Sequence, residues 1–289
     1  MIFLFLAQTM VGINIVSSKL LVSEIPVLLL LTIRFSLATF ILLPLHWLTP
    51  DKKLTLKNHF ASLQTKDYIF LLAQALTAGV MFNTLMLSGL NYTDANIAGI
   101  ITSTLPAIIA VMAWIVLKEK FTGKQSLCIV FATAGLIVIA TDKVSSVTDN
   151  NSFFGDLLVF LSLFPEATYY ILCKLHPNKL PVFIVSALMN GINALLVFPS
   201  LLFINWNLTG ISLIDWAILF ILGLSSGLFY VFWYFGCQRV DGLLTSLSTA
   251  VMPIATVIFA WIILGEKLTI LECLGMGLVI FSIVLYAKR

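Results

Sequence analysis

The sequence predicts an all-α integral membrane protein, with ten transmembrane helices arranged as two five-helix inverted repeats. Three observations carry that prediction. First, 60% of the 289 residues are apolar and 10% are charged, and the mean hydropathy is +1.08, so there is too little polar surface to clothe a water-soluble body of this length. Second, the chain repeats itself. A shift of 147 positions lays Asp94 on Asp241, Thr102 on Thr249, Pro106 on Pro253, Trp114 on Trp261 and Glu119 on Glu266. A shift of 155 lays Lys19 on Lys174, Pro26 on Pro181 and Pro44 on Pro199. The difference of eight positions between 155 and 147 is a longer loop in the first half. Third, with the N-terminus assigned to the cytoplasm, twelve Lys and Arg fall on the inner side and three, Lys19, Lys143 and Lys267, on the outer side, Arg34 being intramembrane. Both termini are therefore expected inside. Because five is odd, the two repeats enter the bilayer from opposite sides.

The first repeat, residues 1–145, has spanning runs near 2–19, 26–47, 67–90, 95–117 and 123–141. The first run is apolar from its second residue, but no basic stretch precedes it and no small-x-small site closes it before Lys19, so it reads as a retained helix. The fourth contains Pro106, which predicts a mid-helix kink, and the fifth opens on a capping box, Thr122 with Gln125. The polar segment Thr141 to Phe153 reads as the linker.

The second repeat, residues 150–289, has runs near 154–174, 181–204, 213–237, 242–264 and 270–287. Pro165 predicts a bend in the sixth helix, and Pro253 a kink in the ninth equivalent to that of Pro106. Thr269 with Glu272 repeats the capping box before the tenth helix, and Glu119 and Glu266 sit where a carboxylate complements the starts of the fifth and tenth. Gly223, Gly227, Gly275 and Gly277 read as points of close helix contact. Cys128, Cys173, Cys237 and Cys273 lie in separate apolar runs without metal-ligand spacing, so no metal and no cofactor is expected. The sequons at Asn91, Asn150 and Asn207 fall in expected outer loops and are of a kind that arises by chance.

Duplicated, inverted membrane chains are the ground plan of secondary transporters. The order and doubling of Gly12, Asn14, Lys19, Arg34, Pro106, Glu119, Gly123, Gly135, Gly155, Asp156, Pro253 and Glu266 make the chain resemble the drug/metabolite transporter superfamily, specifically its EamA-like ten-helix exporters. The resemblance covers nearly the whole chain. It implies a multi-pass protein of a bacterial inner (cytoplasmic) membrane that handles a small-molecule substrate as a monomer. Pro165, Glu166 and Ala167 depart from the family pattern, in which small and aromatic residues are more usual at that place.

Two charges fall deep in the predicted bilayer. Arg34 lies eight residues past Pro26, about 12 Å below the outer edge of the hydrocarbon at 1.5 Å per residue. Glu166 lies twelve residues past Phe154, about 18 Å deep by the same arithmetic. A charge near a helix centre costs on the order of 2.5 to 3.5 kcal/mol on insertion scales, so both are expected to face the bundle interior. The plain reading of each is a structural partner for another charge or for a backbone carbonyl, and for Arg34 also a role in gating or packing. The sharper reading gives Glu166 the proton-coupling role, because a buried carboxylate trades its proton when its compartment opens to water. If Arg34 shares that cavity, the pair holds an amino acid by both ends, its carboxylate on the guanidinium and its amine on the glutamate.

Asn14, Asn83, Tyr169, Tyr230 and Trp233 complete the expected substrate site, with Asn190, Asn193 and Tyr234 as further mid-depth polar candidates. Pro106, Pro253 and Pro165 are the expected hinges. The function that follows is a secondary transporter, in the exporting direction, of amino acids or related small amine or carboxylate metabolites, coupled to protons. A sugar-nucleotide or phosphate-ester exchanger is the alternative, although a dianion calls for several cavity cations and Arg34 stands alone. A polytopic enzyme is disfavoured. No HExxH, G-x-S-x-G or Walker A pattern is present, and His46, His59 and His176 are scattered near inner loops. No basic stripe interleaved with aromatics suggests nucleic acid.

Overall fold

Runs of 20 or more apolar residues satisfy their backbone groups internally only as helices, and a computed structural model shows that arrangement. The structure describes residues 1–48, 56–61, 63–118, 150–204, 211–239, 248–266 and 269–287, with scattered residues between 123 and 138 and residue 245. Helix α1 is Ile2–Leu21 and α2 is Val27–Leu45, which tightens into a 3₁₀ turn at His46–Leu48. After the short α3 (Leu56–Ala61), one long span is built of α4 (Thr65–Gln74), a π-helical segment (Ala75–Met81) and α5 (Phe82–Leu90). Helices α6 (Ala95–Thr102) and α7 (Leu105–Leu117) make the next. The second half holds α8 (Asn150–Leu175), α9 (Val182–Val197) with a 3₁₀ end at Phe198–Phe203, and α10 (Leu213–Cys237). It continues with α11 (Val251–Phe259), a second π segment (Ala260–Leu264) and α12 (Ile270–Ala287).

Among the described residues, seven helical spans are long and apolar enough to cross a membrane, and Val251–Leu264 is a shorter one. The helix expected at 123–141, most of the linker, the start of the ninth helix, and Glu119, Thr122, Gln125, Cys128 and Asn207 lie outside the described residues.

The structure corrects several expectations. Pro106 and Pro253 do not merely kink continuous helices. A turn at Ser103 and Thr104 separates α6 from α7, and another at Thr249 and Ala250 precedes α11, so each proline sits in the first turn of a new helical segment. The physical reason is that proline's missing N–H is harmless in a first turn and disruptive four residues into a helix. Helix α8 begins at Asn150, inside the expected linker, and stays helical through Pro165. Glu266 also reaches across to the other repeat. Its Oε2 accepts from the Asn96 backbone N–H at 3.0 Å, in the first turn of α6 in the other repeat, where four N–H groups lack helical partners.

Each half packs mainly on the other. Helix α1 lies against α10 and α11, α5 against α8, α2 against α9 and α10, and α6 against α11. Glycines permit the nearest approaches: a Cβ on Gly12 would meet the Ala255 Cβ at 2.8 Å, and one on Gly155 would meet the Gly89 carbonyl oxygen at 2.9 Å.

Polar contacts sort the helix ends onto two faces. On the face bearing the N-terminus, Asp67 at the start of α4 meets His176 Nε2 at 2.6 Å and Lys179 Nζ at 3.1 Å, just past the end of α8. The Arg239 guanidinium stacks there on Phe3, 5.0 Å from its ring centre. On the opposite face, Lys19 Nζ at the end of α1 donates to the carbonyls of Leu90 (2.8 Å) and Thr93 (2.7 Å). The Thr93 hydroxyl donates in turn to Asp156 at 2.6 Å, near the start of α8. Thus α1 and α8, which the shift of 155 equates, run in opposite directions.

Candidate functional site

Arg34 is the one charged residue of helix α2, whose other polar side chains are the small Thr32, Ser36 and Thr39, and the bundle buries it to 2% exposure. A guanidinium keeps its charge in any surroundings, so its N–H groups need acceptors once water is gone. Two amides supply them. Arg34 Nη1 donates to Asn14 Oδ1 on α1 at 2.7 Å, and Nη2 donates to Asn83 Oδ1 on α5. Both amides are themselves fixed, Asn14 Nδ2 donating to Ser225 Oγ on α10 at 2.6 Å and Asn83 Nδ2 to the carbonyls of Ala78 (2.8 Å) and Gly79 (2.7 Å). Those two carbonyls belong to the π segment, whose wider turn leaves main-chain oxygens for a side chain to engage. Arg34 Nε is buried without a hydrogen-bond partner. The arginine is therefore held by neutral groups with donor capacity left over.

Glu166 on α8 is also 2% exposed, and Tyr170 stands one turn further along the same helix. Gln8 Nε2 on α1 donates to the Tyr170 hydroxyl at 3.1 Å. Among the described residues, no ion pair joins Glu166 to Arg34. The two charges instead line one cavity, together with Asn14, Asn83, Ser226 and Tyr230, and its walls are Val11, Ile15, Phe35, Ala78, Phe82, Met86, Leu87 and Phe229. Its volume of about 40 Å³ holds roughly three water molecules at 10 to 15 Å³ each, far below the 300 Å³ or more of a drug-sized ligand pocket. As it stands the cavity has no room for a solute larger than a few waters.

Of the residues singled out in the sequence, the structure brings Glu166, Arg34, Asn14, Asn83 and Tyr230 to this cavity. Tyr169 and Trp233 are not part of its lining. They are buried in a ring cluster, with Tyr169 6.2 Å from Tyr230 and 6.2 Å from Trp233, and Trp233 4.5 Å from Tyr170. Asn14 and Tyr169, although equivalent by the shift of 155, thus do different things. Asn190 and Asn193 stand one layer back, accepting from Ser226 Oγ at 3.1 Å and reaching Tyr230 at 3.5 Å. Tyr234 donates to Gln74 at 3.2 Å. Pro165 is buried beside Glu166, and Pro106 and Pro253 lie at the helix breaks.

Sequence reasoning missed Gln8, Tyr170, Ser225 and Ser226. An i,i+4 search from Glu166 finds Tyr170, and Gln8 is a lone amide in an apolar run. Nothing in the sequence signals the π segment. Among the described residues, no group of three or more His, Cys, Asp or Glu is placed to hold a metal ion.

Comparison with known proteins agrees with this architecture. The profile of the EamA-like transporter family matches residues 1–141 and 153–287, both halves of the chain. The uncharacterized transporter YetK of Bacillus subtilis (strain 168) is 28% identical over 281 residues, 96% of this chain and 83% of the relative. The uncharacterized transporter YoaV of the same organism is 24% identical over 271 residues, 91% of this chain and 88% of its own. A solved crystal structure at 16% sequence identity superposes with a TM-score of 0.72 over 97% of this chain and 98% of the other, a likeness of fold.

Proposed function

Because the chain belongs to the EamA-like transporter family, we propose that it is a secondary transporter that exports amino acids or related small amine and carboxylate metabolites, with Glu166 as its proton-coupling group. The observation that carries this reading is that one guanidinium and one carboxylate, not paired with each other, line a single buried and otherwise largely apolar cavity. Arg34 keeps N–H groups to offer a substrate carboxylate, and Glu166 is the counter-charge for an amine. A single cavity cation suits a monocarboxylate better than a sugar nucleotide.

The contacts on both faces and the small cavity fit an occluded state of an alternating-access cycle. Opposed directions of α1 and α8 support inverted repeats meeting at residues 141–153. The lysine bias supports cytoplasmic termini in a bacterial inner membrane. Transport then consists of the two halves rocking about the cavity, with Pro106, Pro253 and Pro165 as hinge points and one chain sufficient. Tyr169 and Trp233 support Tyr230 as the aromatic wall against the substrate.

Counterflow in proteoliposomes tests the reading, with a panel of amino acids, amines, dicarboxylates and nucleotide-sugars under an imposed pH gradient. Amino acid or amine exchange that the gradient drives in wild type but not in Glu166→Gln is the expected result. Movement of anions alone, indifferent to Glu166, overturns it.

A further inference from the structure

Gln8 and Tyr170 lie outside the lining of the substrate cavity, and the Tyr170 ring packs on Trp233 while its hydroxyl is left for polar partners. Both are buried in the middle of the bundle, and both are polar. In the observed arrangement the Gln8 amide N–H donates to the Tyr170 oxygen at 3.1 Å. Tyr170 stands one helical turn beyond Glu166, the spacing at which two side chains on a helix meet. A phenol has one proton, so with its oxygen filled by Gln8 it serves Glu166 as a donor, which suits the ionised carboxylate. One feature of this chain is costly: Gln8 Oε1 is buried with no hydrogen-bond partner.

That orphan acceptor is what the other charge state needs. When Glu166 is protonated its O–H requires an acceptor, and the Tyr170 oxygen lies one turn along the same helix. The Tyr170 O–H must then turn to a new acceptor, and a half-turn of the Gln8 amide brings Oε1 to it. We infer that Gln8 and Tyr170 form a reversible hydrogen-bond chain that accommodates Glu166 in both its charged and its neutral form inside the closed protein.

The proton gained by Glu166 comes from whichever compartment the cavity opens to, and Tyr170 keeps its own proton throughout. Tyr170 and Gln8 are positioning residues in this scheme. The titratable and charged groups around Glu166 are Tyr170 and Cys173 on α8 itself, Tyr230 on α10 and Arg34 on α2 across the cavity. Helices α5, α6 and α7 and the first π segment pack on α8 without a charged residue, and α4 carries its own, Lys66 and Asp67, at the far end. A hydrogen-bond chain is thus the means of stabilising either form without a second ion. The inference rests on the reading of Glu166 as the proton site.

The test needs no substrate. Infrared difference spectra of the full-length protein in lipid are recorded through a pH titration, following the carboxylic acid carbonyl band. Glu166→Gln should remove a titrating band. If it removes none, the reading of Glu166 as the proton site falls and this inference with it.

If the band is Glu166, Tyr170→Phe should move its midpoint up by roughly one pH unit, a tenfold change in proton affinity, because the anion loses a charge-assisted donor. It should also move the band to higher frequency, as for an acid without an acceptor. Gln8→Met should move the midpoint the other way. It strands the Tyr170 O–H only in the protonated state and leaves the donor to the carboxylate in place. Shifts of opposite sign support the chain, and an unmoved midpoint in both variants, or shifts of the same sign, overturns it while leaving Glu166 as the proton site. Gln8→Met leaves Tyr170 itself unchanged, so it remains informative where Tyr170→Phe folds poorly.

Discussion

Replacing Arg34 separates a substrate-binding arginine from a structural pin, because the two roles predict opposite orders of stability. In the structure Arg34 makes two hydrogen bonds to amide oxygens and has no carboxylate partner. Hydrogen bonds to a charged group contribute roughly 1.5 to 3 kcal/mol each. Against that stands the burial of an uncompensated cation, a penalty of several kcal/mol even after relaxation. Arg34→Met removes both terms and leaves two amide oxygens short of a donor, at about 1 to 3 kcal/mol each. The first two terms nearly cancel and the two stranded oxygens remain, so Arg34→Met should be less stable than wild type by roughly 2 to 6 kcal/mol while losing transport of carboxylate-bearing solutes. Arg34→Lys keeps the buried charge, but a single ammonium cannot reproduce the fork that spans Asn14 on α1 and Asn83 on α5, so it should be the least stable of the three. Thermal unfolding of the purified proteins in one detergent gives the stability order, and counterflow gives the activity order of wild type, then Lys, then Met. An Arg34→Met protein that is much less stable than Arg34→Lys yet still carries carboxylates would show the arginine to be a pin and nothing more.

Gly79→Ala should destabilise by about 1 to 3 kcal/mol, since its Cβ would fall 2.0 Å from the Asn193 amide and push that side chain off Tyr230, and an unchanged thermal midpoint would contradict the packing described. Glu266→Gln should lower stability by about 1 kcal/mol by removing the anion from the first turn of α6, an effect that weakens in high salt, and salt-independent loss would point to another cause. Pro253→Ala restores the N–H that a continuous helix needs, so the break before α11 should close and the transport rate fall several-fold with little change in half-saturating substrate, whereas a pure rise in the latter would place Pro253 at the binding step.

What the sequence made legible was local or statistical. Intramembrane depth singled out Arg34 and Glu166, and the structure places them on one cavity, because the cost of a charge in hydrocarbon depends on the residue and its position along one helix. Glu166 could not be connected to Gln8 from sequence, since they are 158 positions apart and meet only through Tyr170. The doubled prolines announced irregular helices at equivalent places, but a break and a kink share one sequence signature, and neighbouring helices decide between them.

By itself, the sequence determined that this chain crosses a membrane repeatedly in two related halves, since apolar run length and residue spacing are properties of the chain and not of its neighbours. Tertiary structure alone decided which side of each helix is inward. Helix α2 has apolar residues on every side and no polar stripe, so nothing in its pattern orients Arg34, and packing against α9, α10 and α5 turns it toward Asn14 and Asn83. Tyr169 and Tyr170 are adjacent in sequence and both lie among rings, yet the Tyr169 hydroxyl has no hydrogen-bond partner among the described residues while that of Tyr170 accepts from Gln8 on α1. Residues one position apart on a helix point about 100° apart, and the partner helices determine which of those directions meets the site.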